Sequence, residues 1–438
     1  MSHRTGRFRV ALLVAAAIAA GWVDLGAMWR SSMPDANPGA AAQAAGGAGA
    51  VVPFTIHVPD VVLSDLKQRL ARARFPDELE GADWKYGTNL AYLKQLVAYW
   101  RDSFDWRAQE RKLNQFEQFK TNIDGLNVHF IWRKSKERNA FPLLITHGWP
   151  GSFVEFTKII GPLTDPAAHG GRAEDAFDVV IPSIPGFGFS DKPRTPGYNA
   201  AKMAEIEAKL MARLGYTRYG AQGGDWGALI APPLAIADQA HVAGIHLNMC
   251  AANQPAGITD PLAGLTPAEQ ARMKVRQNFQ TEETGYSTEQ GTKPETIGAA
   301  LNDSPVGLAA WIVEKFRTWC DCDGNPETTF TKDELLTNVM VYWVTQTAAS
   351  SARLYYESRH AGSVLGGRVE VPTACAQFPK EIIWAPRTWV EARYNLKRWT
   401  EFPRGGHFAA LEQPDALVGD VRAFFRDLRP SPAPPNVR

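Results

Sequence analysis

The chain has 438 residues, of which 45% are hydrophobic and 21% are charged. This is an ordinary globular composition, and the chain is long enough to bury a large core without disulfide support. Its 47 lysines and arginines nearly balance 46 aspartates and glutamates, so the formal net charge is +1. The balance excludes the strongly basic surface typical of nucleic-acid-binding proteins, and we expect no nucleic-acid partner.

The first residues have the pattern of an export signal. Basic residues are followed by an apolar run over residues 10–23, which is shorter than the roughly 20 residues of a membrane span. Residues 25–27 offer a cleavage site, and an alanine- and glycine-rich linker covers residues 37–50. We expect residues 1–50 to be a signal segment followed by this linker, and we expect the signal to direct export to the periplasm or medium. An uncleaved segment that anchors the protein to a membrane is the alternative.

Two helices and a hairpin are predicted in an N-terminal extension domain over residues 51–135. Leu63, Leu66 and Leu70 lie on one helical face, and residues 90–100 have a second helical pattern. Residues 124–125, Asp-Gly, are typical of the turn in a β-hairpin.

The rest of the chain predicts an α/β fold. Short apolar strands alternate with helical segments, which indicates a mostly parallel sheet with helices on both faces. Strand signals stop after Leu247 and return at Val369, so a helical cap is predicted to interrupt the core. The predicted strands are 143–146, 178–181, 219–222 and 244–247, and the predicted regions are a first core segment at 136–247, the cap at 248–366 and a second core segment at 367–438.

The sharpest motif is GGDWG at residues 223–227, which follows a predicted strand and precedes a helix. Glycines on both sides of Asp225 have the spacing of a nucleophile elbow, a tight turn that excludes neighbouring side chains. A carboxylate at this position is suited to displacement at saturated carbon, which forms an alkyl ester that water must then cleave. The motif therefore points to epoxides or alkyl halides as substrates.

Two further motifs complete a candidate site. HGWPGS at residues 147–152 follows a strand and forms a loop whose backbone N–H groups can stabilise an oxyanion, whereas the side chain of His147 is expected to be structural. His407, in GGHF, lies late in the chain. It fits the order nucleophile, acid, histidine that accompanies a nucleophile elbow. Glu381 is the candidate to orient its imidazole, although spacing alone leaves Glu391 and Glu401 open.

The four cysteines, by contrast, have no spacing typical of a zinc site. We interpret them as buried or incidental thiols, which do not settle the redox compartment. They are Cys250, Cys320, Cys322 and Cys375.

These motifs together resemble the microsomal-type epoxide hydrolase family, which carries an N-terminal domain before the α/β-hydrolase fold. The resemblance extends over nearly all of residues 53–428 and departs from the family at the N-terminus, where microsomal relatives have a long membrane anchor. It rests on WKYG at 84–87, FDWR at 104–107, HGWPGS at 147–152, IPGFGFS at 184–190, GGDWG at 223–227, LNDSP at 301–305 and RGGHFAALEQP at 404–414.

The resemblance implies a role for each candidate residue. Asp225 matches the nucleophile, His407 the general base and Glu381, in FPKE, the acid that orients it. Two cap tyrosines, matched by Tyr286 and Tyr355, hold and protonate the epoxide oxygen, and the neighbouring Tyr356 leaves the second match open by one residue. The backbone N–H groups of Trp149 and Trp226 match the oxyanion hole.

The expected reaction joins a small apolar epoxide and water to give a vicinal diol, with no metal or organic cofactor. Family members of this kind serve detoxification and aromatic hydrocarbon catabolism. A haloalkane dehalogenase-like hydrolase is the nearest alternative, and a catalytically inactive binding protein of the same fold is a second one. A serine esterase is disfavoured because aspartate occupies the elbow.

Overall fold

In the computed structural model, residues 49–362 and 366–429 are described. The predicted export segment therefore lies outside the described residues, apart from Gly49 and Ala50. Within the described ranges, no helix is long and apolar enough to cross a membrane.

A single twisted sheet organises the described residues of the chain. Its order is β1-β2-β3-β5-β4-β6-β7-β8-β9, and every pairing from β5 through β9 is parallel. Strands β5 and β7 are almost wholly buried apolar runs, as expected when helices cover both faces of a parallel sheet. The strands are β1 Val51–Phe54, β2 Gln118–Ile123, β3 Leu126–Arg133, β4 Phe141–Thr146, β5 Phe177–Pro182, β6 Tyr219–Gly223, β7 Val242–Leu247, β8 Val369–Gln377 and β9 Tyr394–Glu401.

The predicted hairpin is confirmed as β2 and β3. Both turn residues, Asp124 and Gly125, have positive φ angles, of 51° and 88°, as a two-residue hairpin turn requires. β3 then pairs antiparallel with β5. The N-terminal extension therefore adds three strands to the edge of the same sheet that carries the core.

Helices pack on the two faces of this sheet. Successive side chains of a strand point to opposite faces of a sheet, and β7 has a helix on each face. His246 faces α15, the last helix, whereas Ile245 points to the opposite face, where α6 packs. The helices of the core are α4 Thr157–Thr164, α5 Ala200–Arg213, α6 Trp226–Ala237, α13 Arg387–Arg393, α14 Ala409–Glu412 and α15 Pro414–Arg426.

The predicted cap contains helices and no strand within its described residues. It is held by the N-terminal helices, because Arg69 forms a 2.9 Å ion pair with Asp303 and the Tyr99 hydroxyl donates to Asp333 at 2.8 Å. The N-terminal helices are α1 Asp60–Ala71, α2 Leu90–Asp102 and α3 Trp106–Leu113. The cap helices are α7 Pro267–Glu282, α8 Gly285–Thr292, α9 Pro294–Asp303, α10 Pro305–Trp319, α11 Lys332–Thr345 and α12 Ala348–His360.

The cysteines are buried as expected, but the interpretation as incidental thiols is wrong. Cys250 is bonded to Cys375 across 125 residues of sequence, and Cys320 is bonded to Cys322. The first bridge joins the segment after β7 to the neighbouring strand β8. Sequence spacing did not reveal this pair because the two cysteines meet only through the parallel register of the sheet.

Asp420 on α15 is the centre of a buried polar cluster beneath the sheet. Its carboxylate accepts hydrogen bonds from His246 at 3.0 Å, Arg398 at 2.7 Å and Thr400 at 2.7 Å. Burial alone would raise the pKa of Asp420, but these partners outweigh burial and lower the pKa to about 2.

We expect Asp420→Ala to lower the free energy of unfolding by about 3 kcal/mol, because Arg398 and His246 lose their buried partner. Urea denaturation at neutral pH measures the change. Asp415→Ala, which removes an exposed carboxylate from the first turn of the same helix, is the control and should cost less than about 1 kcal/mol.

The same carboxylate gives a pH dependence of stability with a defined sign. Because the folded pKa of Asp420 lies below the ordinary value of about 3.9, its contribution is present above that value and is lost as the pH falls toward 2. An unchanged acid unfolding profile in the Asp420→Ala variant would contradict this assignment.

Candidate active site

Asp225 occupies the turn between β6 and α6. Its φ angle of 48° and ψ angle of −124° lie in a region that non-glycine residues rarely adopt. Such a conformation costs about 1–3 kcal/mol and persists only where the surrounding structure enforces it. The side chain is 15% exposed, so the strained turn presents a carboxylate that a substrate can reach.

Close backbone approaches explain the small residues around this carboxylate. A Cβ atom on Gly227 would lie 2.0 Å from the carbonyl oxygen of Thr146, and a Cβ atom on Gly148 would lie 2.0 Å from Oδ1 of Asp225. Both distances are far inside van der Waals contact. Glycine at these positions therefore lets the elbow and the HGWPGS loop meet.

The HGWPGS loop supplies one hydrogen bond directly to the elbow. The backbone N–H of Trp149 donates to Oδ1 of Asp225 at 2.8 Å, and a cis peptide bond links Trp149 to Pro150. Trp226, whose N–H is the second predicted donor, is the first residue of α6. His147 is buried and accepts from the backbone of Ile184, and burial lowers its pKa to about 4, so it remains neutral.

His407 lies between two carboxylates. Its Nδ1 is 2.8 Å from Oε1 of Glu381, and its Nε2 is 3.2 Å from Oδ2 of Asp225. The other two acids left open by the sequence are engaged elsewhere, because Glu391 pairs with Arg387 and Glu401 accepts from Trp399. Of the three, the structure brings Glu381 to the imidazole.

The loop after β8 fixes the position of Glu381. Its Oε1 also accepts the backbone N–H groups of Ile382 and Ile383, at 2.7 and 3.3 Å. The carboxylate is thereby held by its own backbone while it contacts Nδ1 of His407. Glu381 lies between the end of β8 at Gln377 and the start of α13 at Arg387.

The charge on His407 follows from this geometry. Burial acts to lower its pKa, but the charges of Glu381 and Asp225 and the hydrogen bonds with them raise the pKa well above its usual range. The imidazole is therefore protonated in the free protein. It can lose that proton more easily once one of the two carboxylates loses its charge.

Two tyrosines from different cap helices meet above the elbow. Tyr286 on α8 stacks on the ring of Trp149 at 5.1 Å, and Tyr355 on α12 packs edge-on against Trp226 at 4.8 Å. The two tyrosine rings lie 5.9 Å apart. Tyr356, the neighbouring possibility, is 38% exposed and stacks on a histidine of its own helix, so the structure brings Tyr355 and not Tyr356 to the site.

Both tyrosines remain protonated at neutral pH. Burial raises the pKa of Tyr286 and of Tyr355 well above the ordinary value, and the negative charge of Asp225 raises both further. Neutral phenols can donate hydrogen bonds, so both tyrosines can donate a hydrogen bond to a ligand that lies between them and the carboxylate of Asp225.

The cap also holds the loop that carries His407, through residues that sequence patterns missed. The backbone N–H of His407 donates to the carbonyl oxygen of Trp319 at 3.0 Å, and the N–H of Gly405 donates to Asp321 at 2.8 Å. Glu412 in turn accepts from the backbone of Asp321 and Phe408. Burial raises the pKa of Glu412 to about 7, against these hydrogen bonds.

Glu155 is a second buried acid that sequence patterns missed. Burial raises its pKa to about 8, while the positive charge of His407 acts to lower it and the charge of Asp225 to raise it. Its carboxyl group fills the space beside Gly151, where a Cβ atom would lie 1.4 Å from Oε1. The spacing Ser152 to Glu155, typical of a helix-capping pair, is the signal that marks it.

The comparisons with known proteins cover both regions of the chain. The family model for the epoxide hydrolase N terminus matches residues 51–156, and the model for the alpha/beta hydrolase fold matches residues 142–414. Epoxide hydrolase 1 of Sus scrofa is 43% identical over 399 residues, which are 85% of this chain and 88% of the relative.

Two solved structures extend this similarity to three dimensions. Juvenile hormone epoxide hydrolase from Bombyx mori superposes with a TM-score of 0.81 at 37% identity, covering 87% of this chain and 95% of its own. The epoxide hydrolase of Aspergillus niger superposes with a TM-score of 0.79 at 33% identity, covering 86% and 97%. The chain belongs to the epoxide hydrolase family, with an N-terminal epoxide hydrolase region on an α/β-hydrolase fold.

Proposed function

We propose that the protein converts an epoxide and water into a vicinal diol through a covalent ester on Asp225. The observation that carries the proposal is the surroundings of this one carboxylate. It contacts a backbone N–H on one oxygen and His407 on the other, and it lies beneath two protonated tyrosines. Membership of the epoxide hydrolase family supports the same chemistry.

In the first step, Tyr286 and Tyr355 hold the oxirane oxygen while Oδ2 of Asp225 attacks the less hindered ring carbon. A new C–O bond forms, the ring C–O bond breaks, and the departing oxygen takes a proton from a tyrosine. The product is a hydroxyalkyl ester, and Oδ1, which accepts from Trp149, becomes its carbonyl oxygen.

In the second step, His407 activates water. Ester formation removes the charge of Asp225, which is one of the two charges that raise the pKa of His407, so the imidazole can release its proton and restore the tyrosine that was deprotonated in the first step. Neutral His407, oriented by Glu381, then takes a proton from water, and hydroxide attacks the ester carbonyl. The N–H groups of Trp149 and Trp226 stabilise the oxyanion. When the tetrahedral intermediate collapses, its bond to the diol oxygen breaks, that oxygen takes the proton of the new carboxyl group, and His407 keeps the proton taken from water.

The tyrosine pair separates this proposal from its nearest alternative. A haloalkane dehalogenase-like enzyme shares the aspartate and histidine but needs halide-binding donors in place of two acidic phenols. An inactive binding protein would be expected to have lost some of this group. This chain keeps the whole group, and its members surround one site: Asp225, His407, Glu381, Tyr286 and Tyr355.

We also propose that the protein is exported, with membrane attachment by an uncleaved N-terminal segment as the alternative. The signal-like sequence over residues 1–27 supports export. Two disulfides support it independently, because such bonds persist in oxidising compartments and are rare in the reducing cytosol. In that setting the protein would serve detoxification or the catabolism of aromatic hydrocarbons.

Asp321 is a positioning residue in this proposal. It accepts the backbone N–H of Gly405, two residues before the base, and would act on the reaction through His407. A backbone shift of His407 by about 1 Å would slow water activation strongly, because proton transfer depends on close alignment.

We expect Tyr286→Phe with Tyr355→Phe to lower epoxide hydrolysis by about 10³-fold, and each single change to leave partial activity, because two donors share one oxygen. Diol formation from styrene oxide measures the effect. Tyr356→Phe, one residue away on an exposed ring, is the matched control and should retain full activity.

The same variants test the alternative function. Full epoxide activity in the double variant would contradict the tyrosine roles. Release of halide from 1-chlorobutane, with no diol from any epoxide, would replace the proposal with the dehalogenase alternative.

We expect Asp321→Ala to lower the turnover of styrene oxide by about 10²-fold with accumulation of the ester, because ring opening is retained while water activation slows. Asp321→Asn keeps an oxygen acceptor for Gly405 and should restore most of the turnover. Intact-protein mass spectrometry during turnover detects the ester. Equal losses in both variants, or a loss without ester, would show that Asp321 has only a structural role.

A further inference from the structure

A cavity of about 460 Å³ opens beside the proposed catalytic site. Its wall contains Trp226 and Tyr355 together with apolar residues and three polar ones, Asn253, Ser287 and Ser358. A pocket of this size suits a small organic molecule, and Tyr355 belongs both to its wall and to the proposed catalytic site. The apolar members of the wall used here are Trp226, Leu229, Ala251, Ala252 and Ile383.

Two arginines from different cap helices also line this cavity. Arg276 projects from α7 and Arg359 from α12. A purely apolar substrate has no use for two cations at its binding pocket, and desolvating a guanidinium against apolar material is unfavourable. The cavity is therefore suited to a ligand that has an apolar body and a negative charge at one end.

Arg276 has an incomplete set of partners. Its Nη1 donates to the carbonyl oxygen of Trp384 at 3.2 Å, and its guanidinium lies 5.8 Å from the ring of Trp389. Burial lowers its pKa, and no carboxylate of the described residues acts against that change. No other donor of this guanidinium has a hydrogen-bond partner among the residues that the structure describes.

A neighbouring arginine on the same helix, Arg272, has the nearby carboxylates that Arg276 lacks among the described residues. Arg272, one turn earlier, stacks on Trp384 at 4.9 Å and donates to the backbone of Phe378. Burial lowers its pKa too, but the charges of Glu401 and Glu381 act against that change. Arg276 likewise lies over a tryptophan ring, that of Trp389, but no carboxylate in the described part of the chain acts to raise its pKa. The missing negative charge is the feature that a ligand would supply.

Arg359 is exposed and forms no ion pair with any carboxylate in residues 49–362 or 366–429. Its stem lies close to Gly291 on α8, where a Cβ atom would lie 3.2 Å from its Cδ. The glycine thus leaves room for the arginine to lie along the cavity edge. Two arginines that form no ion pair within residues 49–362 and 366–429 therefore line one cavity, beside apolar residues and three polar ones.

We propose that the preferred substrates are epoxides whose apolar body ends in a carboxylate, bound by Arg276 and Arg359 while the oxirane lies between Tyr355 and Asp225. This inference rests on the proposed epoxide-opening function and narrows its substrate class. Charge-assisted hydrogen bonds from guanidinium to carboxylate are short and strong, so they favour the anionic substrate over a neutral one of equal size.

A series of ω-epoxyalkanoates and the corresponding primary amides tests the inference. The pairs 5,6-epoxyhexanoate, 7,8-epoxyoctanoate and 10,11-epoxyundecanoate differ in reach, and each amide keeps the skeleton of its acid without the charge. The ratio of kcat/KM for acid to that for amide is taken within each protein variant, so a general loss of activity cancels. For the chain length that fits, the ratio should be at least about tenfold in the unchanged protein.

Arg276→Gln with Arg359→Gln should bring this ratio to about one, and each single change should lower it. Lys274→Gln removes the same charge from an exposed position of α7 that does not line the cavity, and it should leave the ratio unchanged. The ratio should also fall as salt is added if Arg359, the exposed partner, contributes.

Three results would overturn the inference. A ratio of one or less at every chain length, with the amides hydrolysed, contradicts the carboxylate preference and leaves epoxide hydrolysis intact. A ratio retained in the double arginine variant removes these two residues from the explanation. No diol from any acid or amide contradicts the proposed function itself, and this inference with it.

Discussion

One imidazole lies between two carboxylates, and the rest of the site depends on that contact. Asp225 comes from the end of β6, Glu381 from the loop after β8, and His407 from the loop after β9. Neighbouring parallel strands bring their carboxyl ends to one edge of the sheet, so residues far apart in sequence meet there. The resulting charge on His407 couples the two proposed steps, because alkylation of Asp225 is also what frees the base.

The cap does two things for this arrangement. It supplies Tyr286 and Tyr355, and its α10 ends in the carbonyl of Trp319, followed by the carboxylate of Asp321, which together hold the loop of His407. The N-terminal helices in turn bind the cap through an ion pair and hydrogen bonds. The cap therefore shapes the catalytic geometry as well as covering it, which gives the N-terminal region a physical reason to accompany this fold.

Local patterns were sufficient for the elbow, the hairpin turn and the helical cap, since each is determined by residues close in sequence. Asp225 was identified by flanking glycines whose close contacts the structure shows. The pairing of Cys250 with Cys375 and the support from Asp321 were not predictable, because both depend on contacts between distant segments. The roles of Tyr286 and Tyr355 were predicted only from the family resemblance, because no sequence feature distinguishes a catalytic tyrosine on a cap helix from one that only packs there.

The origin of the new diol oxygen tests the central claim most directly. One turnover with excess enzyme in ¹⁸O-water is followed by mass spectrometry of the diol and of the peptide that contains Asp225. If Asp225 attacks the epoxide, the first diol carries an unlabelled oxygen from the carboxylate, and the label enters Asp225. If His407 instead activates water for direct attack, the first diol carries the label while Asp225 remains unlabelled, and the covalent account is contradicted.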